Sequence, residues 1–255
     1  MTYSYIPGPE QPDTVIVMPK GQAIAGAAVG ILVLDLSYPI MPGNVANAAT
    51  WDFPVFFKVL KGTTTSQILG ADPALLDMII EGGRELEEQG VRAIIGACGY
   101  FANYQMEAAA ALDVPVFLSS ILQVPIMAQS LKPHQKVGII CAKADSLTPK
   151  LLGANGVTDI DRLAIVGAQD LPEFQNLLDC TGRFNSRQLE AELVGLAEQL
   201  IADHPDVGAI LLECSDMPPY AWTIQNAVKR PVFDFTTLIN FVQTALVRRP
   251  FPGFI

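Results

Sequence analysis

The stretch Arg92-Ala93-Ile94-Ile95-Gly96-Ala97-Cys98 has a second copy, Gly208-Ala209-Ile210-Leu211-Leu212-Glu213-Cys214, 116 residues further along the chain. Each is a short apolar run that stops at a cysteine, the pattern of a buried parallel strand leaving its sheet. The same shift, without a gap, lays Pro115-Val116-Phe117 on Pro231-Val232-Phe233. A weaker echo, offset by 108, joins Val29-Gly30-Ile31-Leu32 to Val137-Gly138-Ile139-Ile140. Both copies read strand, cysteine, helix, proline, strand.

Short β-branched runs alternate with helical stretches on either side of these segments, which is the signature of an α/β fold with parallel sheets. Strands are expected over 29–35, 54–60, 92–97, 114–118, 136–141, 162–167, 207–212 and 231–234. Helices are expected over 73–89, 103–112, 121–131, 146–154, 171–179, 186–203, 219–228 and 236–247. The helix over 186–203 repeats Leu189, Leu193, Leu196 and Leu200 on one face and puts Glu190, Glu192 and Glu198 on the other. The helix ending at Gln89 is followed by Gly90, a residue suited to the left-handed position past a helix end. The repeat predicts two pseudo-symmetric open-sheet lobes with the active cleft between them. The first lobe, 1–130 with 235–255, carries an N-terminal arm and Cys98; the second, 131–234, carries Cys214.

Half of the 255 residues are hydrophobic, enough for cores of this size. A net charge of −10 excludes a basic footprint for nucleic acid and sets the surface against anionic membranes. The expected partner is a small molecule, with a homodimer as the default assembly. No basic leader precedes the early apolar stretch 23–36, which is too short to span a bilayer, so a cytoplasmic protein is expected. The four cysteines, Cys98, Cys141, Cys180 and Cys214, include no CxxC pair and read as reduced thiols. Cys141 lies inside an apolar run and reads as core, and Cys180 as incidental. Cys98 and Cys214 differ, because the carboxyl ends of parallel strands are where open sheets bind ligands. A following helix N-terminus can also favour the thiolate, the form that acts as base or nucleophile.

The segments Gly96-Ala97-Cys98-Gly99-Tyr100 and Leu211-Leu212-Glu213-Cys214-Ser215-Asp216-Met217-Pro218 resemble the two cysteine motifs of the aspartate/glutamate racemase superfamily. The second of these often reads Leu-Gly-Cys-Thr followed by proline. Gly30 to Asp35 and the stretch Pro42 to Val55 extend the resemblance, which is to a largely uncharacterised branch. It implies two flavodoxin-like lobes and a cofactor-independent mechanism without PLP or metal. One thiol removes the α-proton of a carboxylate substrate and the opposite thiol returns a proton to the other face. Racemisation or epimerisation of an amino acid or related carboxylate is the activity expected first. A lyase that eliminates a β-group on the same scaffold, as dimethylsulfoniopropionate lyases do, comes second, and a non-catalytic binding protein third.

Two departures bear on substrate. Gly99-Tyr100-Phe101 stands where glutamate and aspartate racemases carry Asn-Thr-Ala, and Ser215-Asp216 where they carry Thr-His or Thr-Glu. The catalytic candidates are Cys98 and Cys214. Tyr38, Gly99, Tyr100, Ser119, Ser120, Ser215 and Asp216, all just past strand ends, are the candidate substrate contacts. Each of the serines, and Asp216, equally suits a helix cap. His134 and His204 sit in turns and read as surface.

Overall fold

The computed structural model describes residues 22–248; the N-terminal arm read from the sequence lies outside them. Eight strands form two parallel four-stranded sheets. The first contains β1 (Val29–Leu34), β2 (Val55–Leu60), β3 (Ala93–Gly96) and β4 (Val116–Phe117) in the order β2-β1-β3-β4. The second contains β5 (Lys136–Cys141), β6 (Leu163–Gly167), β7 (Val207–Leu212) and β8 (Val232–Phe233) in the order β6-β5-β7-β8. All eight lie within the segments the sequence marks as strands.

The repeat is preserved down to register. Val29 pairs with Ala93 and Val55 in one sheet, and Val137 with Ala209 and Leu163 in the other. Ile94 pairs with Val116 as Ile210 pairs with Val232. Central strands β1 and β5 are buried almost throughout, since both faces of a parallel sheet are covered by helices.

The helices are α1 (Thr65–Leu69), α2 (Ala74–Glu88), α3 (Gln105–Ala111), α4 (Val124–Ser130), α5 (Pro149–Ala154), α6 (Pro172–Leu178), α7 (Ser186–Asp203), α8 (Ala221–Val228) and α9 (Phe235–Leu246). On α7 the face expected to pack does so, with Leu189, Leu193, Ala197 and Leu200 buried. Gly90 takes the expected left-handed conformation after α2, at φ 89°. The last helix, α9, returns to the first sheet, where Phe235, Leu238, Ile239 and Val242 pack with Val29, Ile31, Ala93 and Ile95.

Three differences from the expected helices matter for the site. Helix α1 was not expected; five residues are too few for an apolar period, although the Thr64 and Gln67 capping box that starts it is present. The helix expected from residue 103 is preceded by a 3-10 segment, Gly99–Tyr104, that begins directly after Cys98. Likewise Pro218–Tyr220 is a 3-10 turn leading into α8. No helix among the described residues is long and apolar enough to cross a membrane.

Close backbone approach sets one hard limit. A Cβ on Gly96, the last residue of β3, would lie 2.4 Å from the Leu118 carbonyl oxygen and 2.7 Å from the Phe101 ring. Gly96→Ala is therefore expected to destabilise the protein by roughly 1–3 kcal/mol, measured as a lower urea midpoint with an unchanged slope.

Candidate active site

The last ladder bonds of the two central pairs fix where the cysteines emerge. The Ala97 N–H donates to the Leu32 carbonyl at 2.8 Å, and the Glu213 N–H to the Ile140 carbonyl at 2.9 Å. Cys98 and Cys214 are the next residues in each lobe. Both are partly exposed, and both line one cavity. Its walls come from both lobes: Leu36, Tyr38 and Ile68 on one side, Phe174, Leu177 and Leu178 on the other. Thus α1 and α6, which follow corresponding strands, both contribute apolar side chains to the walls.

Tyr100, two residues after Cys98, and Ser215 and Asp216, the two residues after Cys214, reach across to the other lobe. The Tyr100 hydroxyl donates to the Lys143 carbonyl at 2.7 Å and accepts from the Lys143 N–H at 2.6 Å. The Ser215 hydroxyl donates to the Ala97 carbonyl at 2.9 Å. Asp216 accepts from the Tyr38 hydroxyl at 3.1 Å, from the Asn44 amide, and from the Cys214 thiol at 3.5 Å. Asn44 is held for this by its own Oδ1, which accepts from the Ala46 N–H at 2.7 Å. Its loop packs on the Cys214 turn because Gly43, at φ 101°, has no Cβ; one would meet the Pro219 backbone at 2.9 Å.

Of the candidate contacts, Tyr38, Gly99, Tyr100, Ser215 and Asp216 line the cavity with the two cysteines. Ser119 and Ser120 do not. Ser119 is fully buried and accepts from the Ile121 N–H at 3.2 Å, the cap role open to it from the sequence. Ser120, also fully buried, donates to the Leu212 and Glu213 carbonyls at 3.3 and 3.2 Å and ties the lobes together. The Tyr100 hydroxyl is likewise spent on Lys143, so only the body of this side chain is left for the cavity. Cys141 is buried and its thiol donates to the Val166 carbonyl at 3.3 Å. Cys180 is partly exposed, 3.7 Å from the Thr65 hydroxyl.

Two site residues were missed in the sequence. Asn44 is 3% exposed and holds Asp216, yet nothing in its loop marks it apart from other turn residues. Glu213 is fully buried and lines the cavity; a charge ending the apolar run Ile210-Leu211-Leu212 was the available signal.

The electrostatics overturn one expectation. Both thiols are held well above their usual range, not below it. For Cys98 burial is the main cause and the Glu213 carboxylate the next; the Tyr100 and Phe101 N–H groups act the other way, as a helix N-terminus should, but lose. For Cys214 burial leads again, followed by Asp216 and then Glu213. Burial also pushes Asp216 up to about 6, against the hydrogen bonds from Cys214, Tyr38 and Asn44. Glu213 rises to about 8, mainly by burial. Among the described residues lining the cavity there is no Lys, Arg or His. No three His, Cys, Asp or Glu side chains among the described residues form a metal set.

The comparisons agree with this architecture. Residues 60–239 match the Asp/Glu/hydantoin racemase family. The chain belongs to that family. It is 30% identical over 233 residues to dimethylsulfoniopropionate lyase 7 of Emiliania huxleyi, covering 88% of this chain and 68% of the relative. It is 32% identical over 244 residues to lyase 5 of the same organism, covering 92% of this chain but only 48% of the relative. The chain therefore spans about half to two thirds of the length of these relatives. Allantoin racemase from Klebsiella pneumoniae shares the fold, with a TM-score of 0.56 at 19% identity over 89% of this chain and 95% of that one.

The raised pKa of Glu213 has a consequence for stability. The unfolded chain loses this proton near 4.5 and the folded protein near 8. Between those values the unfolded state is the one favoured by ionisation, so stability is full below about 4.5 and is lost as pH rises to about 8. Glu213→Gln removes this dependence. Urea denaturation should show the variant gaining on the wild type from pH 5 to pH 8, by on the order of a few kcal/mol.

Proposed function

We propose that the protein is a cofactor-independent lyase in which Cys98 acts as the base, with Cys214 beside it, on a carboxylate bearing a cationic β-leaving group, dimethylsulfoniopropionate or a close analogue. The observation that carries this reading is the charge of the cavity. Two thiols and two carboxylates line it, and no basic side chain among the described residues stands beside them. A substrate with its own positive charge supplies what is missing: it is attracted by Asp216 and lowers the cost of forming a thiolate next to it. The apolar walls from Leu36, Ile68, Phe174 and Leu177 suit a sulfonium, whose methyl groups offer no N–H donors. The relatives named as dimethylsulfoniopropionate lyases support the same choice.

The chemistry balances without a cofactor. A thiolate takes the α-proton; the C–H electron pair becomes the new carbon–carbon double bond; the carbon–sulfur pair leaves with the sulfide. The products are acrylate, dimethyl sulfide and one proton, which the thiol afterwards returns to solvent. Cys98 is the better base, because two N–H groups, of Tyr100 and Phe101, favour its anion, against one, of Asp216, at Cys214. Cys214 donates to the Asp216 carboxylate, which keeps its proton in place; the elimination takes no proton from it, so its part is that of a hydrogen-bonding neighbour rather than a proton donor.

Headspace detection of dimethyl sulfide tests the assignment. Cys98→Ala should lower the rate by at least about 10³-fold, and Cys214→Ala by less. Equal activity in the Cys98→Ala variant and the wild type refutes it. Iodoacetamide should label Cys98 or Cys214 ahead of Cys141, with substrate protecting.

A second reading, racemisation of an α-amino acid, draws on the matched positions of the two cysteines in the repeat. It requires both thiols equally, since deprotonation and reprotonation occur on opposite faces. Near-equal and complete loss in both alanine variants, with amino-acid α-exchange in the wild type, would favour it over elimination.

A further inference from the structure

Glu213 follows the last residue of β7 and precedes Cys214, with a fully buried side chain. Its Oε2 accepts from the Ala142 N–H at 3.3 Å, and its Oε1 has no hydrogen-bond partner. A buried polar atom left unpaired costs free energy and calls for a reason. The space for the carboxyl group is provided by the other lobe. A Cβ on Gly99 would fall 1.8 Å from Oε1 and 2.2 Å from Cδ. The acid therefore fills the place of a side chain on the residue directly after Cys98, and both Glu213 and Gly99 line the cavity.

The titratable groups that face it are Cys98, Tyr100, Cys141, Cys214 and Asp216, none of them cationic. Burial keeps the acid protonated up to about pH 8. A protonated carboxyl has one O–H donor, and with Oε2 accepting from Ala142 the proton belongs on Oε1. The unpaired atom is then a donor without an acceptor.

We propose that Glu213, as a neutral acid, donates from Oε1 to the substrate's carboxylate and to the enediolate formed when the α-proton leaves. This rests on the reading of the cavity as the substrate site. A neutral donor of this kind strengthens its hydrogen bond as charge builds on the carboxylate oxygens, which is when stabilisation accelerates the reaction. It also does so without a fixed positive charge that would repel a sulfonium.

The test uses 3-(methylsulfanyl)propionate, which keeps the carboxylate but has no charged leaving group and does not react. Its dissociation constant is measured by proton NMR titration between pH 7 and pH 9.5 on the wild type, Glu213→Gln and Glu213→Leu. Wild-type affinity should fall above pH 8, approaching tenfold per pH unit. Glu213→Gln still donates but does not ionise, so its affinity should be flat across the range. Glu213→Leu should bind at least about tenfold more weakly at pH 7; if it does not fold, the Gln variant alone decides. A flat wild-type profile, or the same alkaline fall in Glu213→Gln, overturns the proposal. The probe's protection of Cys98 and Cys214 against iodoacetamide separates the two levels. Protection of wild type and Glu213→Leu alike removes only the role of Glu213, whereas no protection of the wild type at pH 7 by dimethylsulfoniopropionate, run beside the probe, removes the site reading with it.

Discussion

Ionising a group inside a poorly solvated cavity is expensive, and this cavity holds four acidic groups from the two lobes with no basic side chain beside them among the described residues. Cys98, Cys214, Glu213 and Asp216 are each pushed toward the protonated form by burial; neighbouring carboxylates push Cys98, Cys214 and Glu213 further, while hydrogen bonds from Cys214, Tyr38 and Asn44 act the other way on Asp216. In the proposed function, a ligand that brings positive charge offsets this cost, which would tie substrate choice to the formation of the thiolate.

The geometry that gathers these groups is the duplicated strand end. Ala97 and Glu213 hold the last rungs of corresponding ladders, so the following residues leave both sheets in the same way. The fold is symmetric; the chemistry placed on it is not. Corresponding positions carry Ala97 and Glu213, Gly99 and Ser215, Tyr100 and Asp216. Each pair is shaped across the lobe junction: Gly99 leaves room for Glu213, Ser215 binds the Ala97 carbonyl, Tyr100 binds Lys143 and Asp216 binds Tyr38. Inequality between the two thiols follows, since the N–H groups of Tyr100 and Phe101 both serve Cys98, whereas Cys214 has one, from Asp216, and donates its own proton to the Asp216 carboxylate.

Most of the fold was legible in the sequence because its central strands β1, β3, β5 and β7 are buried on both faces and so appear as unbroken apolar runs. The internal repeat then gave the topology and the two cysteines. The site was only partly legible, for reasons that particular residues make plain. Ser119 and Ser120 follow a strand end as substrate-binding serines would, but whether such a hydroxyl caps a turn, ties two lobes or meets a ligand depends on partners distant in sequence. Ser120 meets residues 92 and 93 positions away. Asn44 acts at a distance of 172 residues and Glu213 depends on a missing Cβ in the other lobe. The acidity of the thiols was misjudged for the same reason. A helix N-terminus is visible locally, whereas burial and two carboxylates from the assembled cavity are not.

The central claim is that this cavity removes an α-proton and expels a cationic β-group. It is tested most directly by incubating the protein in D2O with dimethylsulfoniopropionate and a set of amino acids, and following the proton NMR spectrum. Elimination predicts vinyl resonances of acrylate with matching loss of the sulfonium methyl signal, and no α-deuterium in any amino acid. An unchanged sulfonium spectrum, together with α-deuteration of an amino acid, would contradict the account.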